Sequence, residues 1–165
     1  MLSQRLFAIF ILIVALITLS ASLTAEYLFD KEPCILCLYQ RVPFLITGLF
    51  AIITLCLKSS SRLIPMIFML CALTYLVGSG IAIYHVGVEK LWLISECSGS
   101  LSENTTLEQL RASLLQKADK LCNDVDWTLF GISMATYNVF LSSVLGFTSI
   151  VASMKILKKF RGKAI

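Results

Sequence analysis

Charge is scarce in this chain. Asp, Glu, Lys and Arg make up 15% of its 165 residues, while 58% are hydrophobic. A soluble domain carries about 25% charged and about 45–50% apolar residues. The shortfall excludes a soluble globular domain, and because the apolar surplus comes in long runs the chain reads as an integral membrane protein. Acidic residues are missing altogether from the N-terminus, the 58–62 turn and the C-terminal tail; all ten lie between Glu26 and Asp126. The acid-free stretches hold Arg5, Lys58, Arg62 and the tail residues Lys155, Lys158, Lys159, Arg161 and Lys163. Lys and Arg mark the cytoplasmic side of a membrane protein, so both termini are expected there. The net charge of +4 is thereby explained by topology and needs no nucleic-acid partner. Internal repeats and low-complexity segments are absent, and one membrane domain over 1–165 is expected.

Four apolar runs are expected to span the membrane, at about 6–23, 37–57, 63–85 and 128–153, leaving outer loops at about 24–36 and 86–127. The fold class is all-α, a four-transmembrane-helix bundle. The first run is longer than the roughly 7–15 residues of a signal-peptide core, so it is read as a helix although Ser20-Ala21-Ser22 is a passable cleavage site. Starting the second helix at Pro43 leaves it too short for a hydrocarbon core of about 30 Å. Starting it near Cys37 gives enough length and places Pro43 inside, where a kink is expected. In the second loop, Leu107, Leu110, Leu114, Ala118 and Leu121 have helical spacing, and Thr105 with Glu108 fits a capping box. A short helix on the bilayer surface is expected there. The same cap accounts for Asn104-Thr105-Thr106, which also matches a glycosylation sequon.

The chemistry centres on Glu32-Pro33-Cys34-Ile35-Leu36-Cys37-Leu38-Tyr39-Gln40-Arg41. In a helix Cys34, Cys37 and Arg41 fall at i, i+3 and i+7, on one face. A helix N-terminus and a guanidinium both favour thiolate over thiol. Cys34, Cys37, Cys97 and Cys122 lie on the outer side; Cys56 and Cys71, inside helices, behave as small hydrophobes. Four outer cysteines admit structural disulfides, a four-cysteine zinc site or a redox relay. Zinc usually needs two close-spaced pairs, and Cys97 and Cys122 are far apart; Cys-x-x-Cys is the spacing of redox pairs. Arg41, one turn into the apolar segment, either snorkels to headgroups or holds a thiolate or a carbonyl. His85, the one histidine, ends the third run on the same side and is a candidate hydrogen-bond donor to a quinone. Tyr39, Tyr84, Trp92 and Trp127 gather at the outer boundary as an aromatic belt.

Together these residues resemble the disulfide-bond formation protein B family (DsbB). The match rests on Pro33 to Arg41, on Tyr84-His85, on Cys97 and Cys122, and on the run from Cys122 to Gly131. The resemblance implies a thiol:quinone oxidoreductase of the bacterial inner membrane, with its redox loops facing the periplasm. Its partner would be a periplasmic thioredoxin-fold dithiol oxidase (DsbA-like), and its cofactor ubiquinone or menaquinone. On this resemblance Cys97 and Cys122 reoxidise the partner, with Cys97 forming the mixed disulfide. Cys34 joins transiently to a loop cysteine, Cys37 is the thiolate facing the quinone, and Arg41 and His85 bind the quinone. The protein is expected to act as a monomer. Two rival readings stand beside this one. A tetraspan scaffold with braced loops leaves Arg41 unexplained. A vitamin K epoxide reductase-like enzyme places its Cys-x-x-Cys later in the bundle.

Overall fold

A computed structural model describes residues 2–58, 60–93, 121–123 and 128–162. Among these it shows four long helices: α1 (Leu2–Tyr27), α2 (Ile35–Cys56), α3 (Leu63–Glu89) and α4 (Met134–Arg161). All four are long and apolar enough to cross a membrane. At about 1.5 Å per residue even α2, the shortest, matches a hydrocarbon core of about 30 Å. The expected four-helix membrane bundle is therefore what the chain forms. Large apolar side chains such as Ile17, Leu49, Leu73, Ile83 and Phe147 remain more than half exposed, too much apolar surface to face water and what a lipid-facing surface requires.

Packing runs chiefly between α3 and α4, with α2 set between α1 and α3. Small residues allow the approach. An ideal Cβ on Gly78 would lie 2.9 Å from Pro43 Cγ, so the proline ring of α2 sits directly on the bare backbone of α3. Ser79 and Ser143 bridge α3 and α4 through hydroxyls 2.8 Å apart. Phe44 and Tyr75 meet edge-on in the core between α2 and α3, where the Thr47 hydroxyl donates to the Tyr75 oxygen at 3.0 Å. Gly78→Ala is expected to cost about 1–3 kcal/mol through overpacking against Pro43. Thermal unfolding in detergent checks it; an unchanged midpoint would show that α2 and α3 part freely.

Helix boundaries follow local chemistry. Cys34 is the N-cap of α2, with extended backbone and a side chain that accepts the Cys37 N–H, so the helix begins at Ile35, just ahead of the expected start near Cys37. The fourth helix departs further from expectation: it starts at Met134, not near 128. Thr128–Leu129 and Ile132–Ser133 instead form a two-stranded antiparallel hairpin. Its turn residues Phe130 and Gly131 have φ of 53° and 79°. Two consecutive positive φ values are incompatible with an α-helix and suit a tight hairpin. Ser133 then caps α4 by accepting the Thr136 N–H. The surface helix expected over 105–121 lies outside the described residues apart from Leu121.

Candidate redox site

The first turn of α2 carries the site. A helix end leaves N–H groups without intrahelical partners, and here one of them, on Cys37, reaches the Cys34 sulfur at 3.4 Å. The helical i, i+3 relation brings the two sulfurs within 2.9 Å, as a dithiol. From α3, His85 Nε2 lies 3.6 Å from Cys34 Sγ. Glu89, one turn further along α3, places a carboxylate oxygen 3.8 Å from the same nitrogen. Cys34 is buried yet surrounded by donors. The Cys37 side chain, then the His85 ring and the Cys37 N–H, outweigh burial and bring its pKa from 9.0 down to about 4.

That shift has a definite sign. Depression favours the folded state above the unfolded pKa, and the contribution is lost as pH falls from about 9 through about 4. Alkylation of Cys34 in the folded dithiol is therefore expected to stay nearly constant from neutral pH to about one unit above that midpoint, then to drop as the thiolate is protonated. Mass spectrometry of the Cys34 peptide across pH checks it. A midpoint in the ordinary thiol range of about 8–9 would show that the donors do not stabilise the charge.

Cys122 is brought to the same place from the second loop. It is disulfide-bonded and buried, and it packs with Cys34, Leu36 and Val88, with Cys37 against them. A backbone group of Cys122 also hydrogen-bonds the His85 ring. Cys97 lies outside the described residues. Cys71 is buried within α3, and Cys56 ends α2 at the opposite membrane face.

Arg41, two turns along α2 from the cap, is mostly buried and forms an ion pair with Glu26 on the last turn of α1. Its Nε is buried and has no hydrogen-bond partner among the described residues. Cys34, Cys37, Arg41 and His85 line one cavity of about 470 Å³, together with apolar side chains that include Ile17 of α1, Phe44 of α2 and Leu141 of α4. The ligating atoms of Cys34, Cys37 and His85 also lie within 4.8 Å of one another. Their sulfurs, 2.9 Å apart, would have to separate to bind a tetrahedral metal, whose ligand sulfurs sit about 2.3 Å from the ion.

The shared face of Cys34, Cys37 and Arg41 is thus a real surface, and His85 joins it. Sequence reasoning missed four neighbours. Glu26 was read only as an outer-loop charge, yet it is the counter-ion of Arg41. Gln40 is buried and hydrogen-bonds His85 Nδ1 at 2.8 Å. Asn138 of α4 donates to Gln40 Oε1 at 2.6 Å, and Glu89 faces His85 as described. Asn138 was detectable in principle, because an amide in an apolar helix seeks a polar partner. The Gln40 signal was its place inside the Cys-x-x-Cys…Arg stretch.

A family model described as "Disulfide bond formation protein DsbB" matches residues 4–152. The chain belongs to the DsbB family. Among its relatives is disulfide bond formation protein B of Xylella fastidiosa (strain 9a5c), 30% identical over 131 residues and covering 75% of each chain. Disulfide bond formation protein B 2 of Pseudomonas savastanoi pv. phaseolicola is 30% identical over 139 residues, covering 77% of this chain and 74% of its own. Membership makes this a multi-pass membrane protein of disulfide bond formation, with a disulfide oxidoreductase-type role.

Proposed function

We propose that the protein is a thiol:quinone oxidoreductase of the bacterial inner membrane that reoxidises a periplasmic thioredoxin-fold dithiol oxidase. The observation that carries this reading is the meeting of Cys34, Cys37 and the disulfide-bonded Cys122 in one cluster at the wall of the apolar cavity. On the pattern of the family, Cys97 is assigned as the disulfide partner of Cys122. A brace would need no such cluster and no dithiol of lowered pKa.

Thiol–disulfide exchange moves electrons in balanced steps. A thiolate of the reduced partner attacks Cys97, and Cys122 leaves; the partner's second thiol closes the partner's own disulfide and frees Cys97. Cys122 then attacks Cys34 of the oxidised Cys34–Cys37 pair, and Cys37 leaves. Cys97 attacks Cys122, restores the loop disulfide, and Cys34 leaves. The low pKa of Cys34 suits this last step, since a more acidic thiol is the better leaving group. The partner's two electrons and two protons now rest on Cys34 and Cys37.

The residues around the cavity fit a quinone. The walls are largely apolar, and the Arg41 Nε, unpartnered among the described residues, is a donor suited to a carbonyl oxygen. When bound, a quinone supplies the two-electron, two-proton sink that makes the relay run one way. Arg41 orients that group, Glu26 compensates the Arg41 charge, and Cys37, the less buried cysteine of the pair, faces the cavity. Purified protein mixed with a short-chain ubiquinone or menaquinone and a reduced thioredoxin-fold dithiol protein is expected to bleach the quinone absorbance catalytically. Absence of turnover with both quinones would reject the reading.

A further inference from the structure

A chain of side-chain hydrogen bonds runs across three helices to the reactive sulfur. The Ser142 hydroxyl donates to Asn138 Oδ1 at 2.9 Å. Asn138 Nδ2 donates to Gln40 Oε1 at 2.6 Å. Gln40 Nε2 meets His85 Nδ1 at 2.8 Å, and His85 Nε2 meets Cys34 Sγ at 3.6 Å. Reversing both amides would keep the distances; Ser142 decides the direction. Its side chain is fully buried, and the partner its hydroxyl has is Asn138 Oδ1. With the amides reversed, Asn138 would donate to Ser142 and the hydroxyl would lose the acceptor it has here, at a cost comparable to a lost hydrogen bond. The hydroxyl therefore sets Asn138, Asn138 sets Gln40, and Gln40 can only donate to Nδ1. A neutral imidazole that accepts at Nδ1 carries its proton on Nε2.

We propose that Gln40, Asn138 and Ser142 are positioning residues that lock His85 as the Nε2–H tautomer and aim that N–H at the Cys34 sulfur. Their product is a donor that holds negative charge on Cys34 whenever it is a thiolate or a leaving group. The opposite tautomer would face the thiolate with a lone pair. Among the described residues the charged or titratable groups facing His85 are Cys34 with Cys37 at the head of α2 and Glu89 from α3 itself, and a backbone group of Cys122 also hydrogen-bonds the ring. Glu89 reinforces the same tautomer, since a carboxylate oxygen beside Nε2 also calls for a proton there. The consequence for turnover rests on the redox role proposed for Cys34, but the tautomer does not.

His85 is the one histidine in the chain, so a long-range 1H–15N spectrum of 15N-histidine-labelled full-length protein in detergent reports it alone. At neutral pH in the dithiol state the expected result is a single species protonated on Nε2. A ring protonated on Nδ1, or on both nitrogens, would overturn the proposal in the wild-type protein, with no variant needed. Asn138→Leu and Ser142→Ala are expected to give a mixture of tautomers and to raise the midpoint of Cys34 alkylation by about one pH unit. Ser149→Ala removes a buried hydroxyl of the same helix that lies outside the relay and is expected to change neither. Wild-type spectra and midpoints in Asn138→Leu and Ser142→Ala, or an equal change in Ser149→Ala, would reduce the network to packing. Each of these readouts is obtained without turnover, so they fail or succeed separately from the quinone assay.

Discussion

Cys34→Ser and Cys37→Ser are each expected to lower dithiol-dependent quinone reduction at least about a thousandfold. Removing either sulfur breaks the relay, because a hydroxyl neither exchanges with a disulfide nor closes one. Cys56→Ser and Cys71→Ala, at thiols remote from the cavity, are expected to keep the wild-type rate. The two losses should differ in what accumulates. In Cys37→Ala the Cys34 thiolate attacks Cys122 of the loop disulfide and Cys97 leaves; without Cys37 to re-close the α2 pair, the Cys34–Cys122 disulfide exchanges with Cys97 alone, and a standing fraction of it is expected. The packing of Cys34 on Cys122 makes this pair the expected one. Non-reducing peptide mapping identifies it. No Cys34-linked disulfide at all, or turnover surviving in Cys34→Ser, would remove Cys34 from the path. Cys37→Ala should also raise the pKa of Cys34 well above about 4, since the Cys37 side chain is the largest cause of its depression.

Arg41→Ala is expected to raise KM for the quinone about 10–100-fold, with a smaller effect on the rate at saturation. The guanidinium does two things that a lysine cannot do at once. Its Nη1 holds Glu26, while its Nε is left as a buried donor on the same rigid plane. Arg41→Lys keeps the charge and the ion pair but loses the second donor, so it should recover only a minor part of the affinity. Glu26→Ala leaves a mostly buried cation without its counter-ion and should lower thermal stability as well. Steady-state quinone titrations of the variants separate these effects. A wild-type KM in Arg41→Ala would return the residue to an ordinary interfacial arginine.

Much of the fold is legible in the chain because a bilayer makes strong and simple demands. Apolar runs of the right length must be helices, since backbone groups in lipid have to pair within their own segment. The pair at Cys34 and Cys37 is legible for the same reason: helical period places the two sulfurs and Arg41 together whatever surrounds them. The start of α4 is less so. An apolar run continues through residues 128–133, and hydropathy cannot distinguish a short hairpin from a helical turn. The two positive φ values at Phe130 and Gly131 decided it. Glu26 was misplaced because a carboxylate just beyond an apolar run looks solvated until α1 is seen to extend through Tyr27.

By itself, then, the sequence determined the number of spanning helices, the site at the mouth of α2 and the register of its cysteines with Arg41. These are consequences of local period and of hydrophobic length. Tertiary structure alone decided which residues meet across helices. Arg41 meets a carboxylate 15 positions away, Cys34 a histidine 51 positions away, and Gln40 an amide 98 positions away. Such meetings depend on how each helix is rotated about its axis. That rotation is set by contacts such as Pro43 on Gly78 and Ser79 on Ser143, because between helices in lipid, close packing and hydrogen bonds do the work that hydrophobic burial does in water.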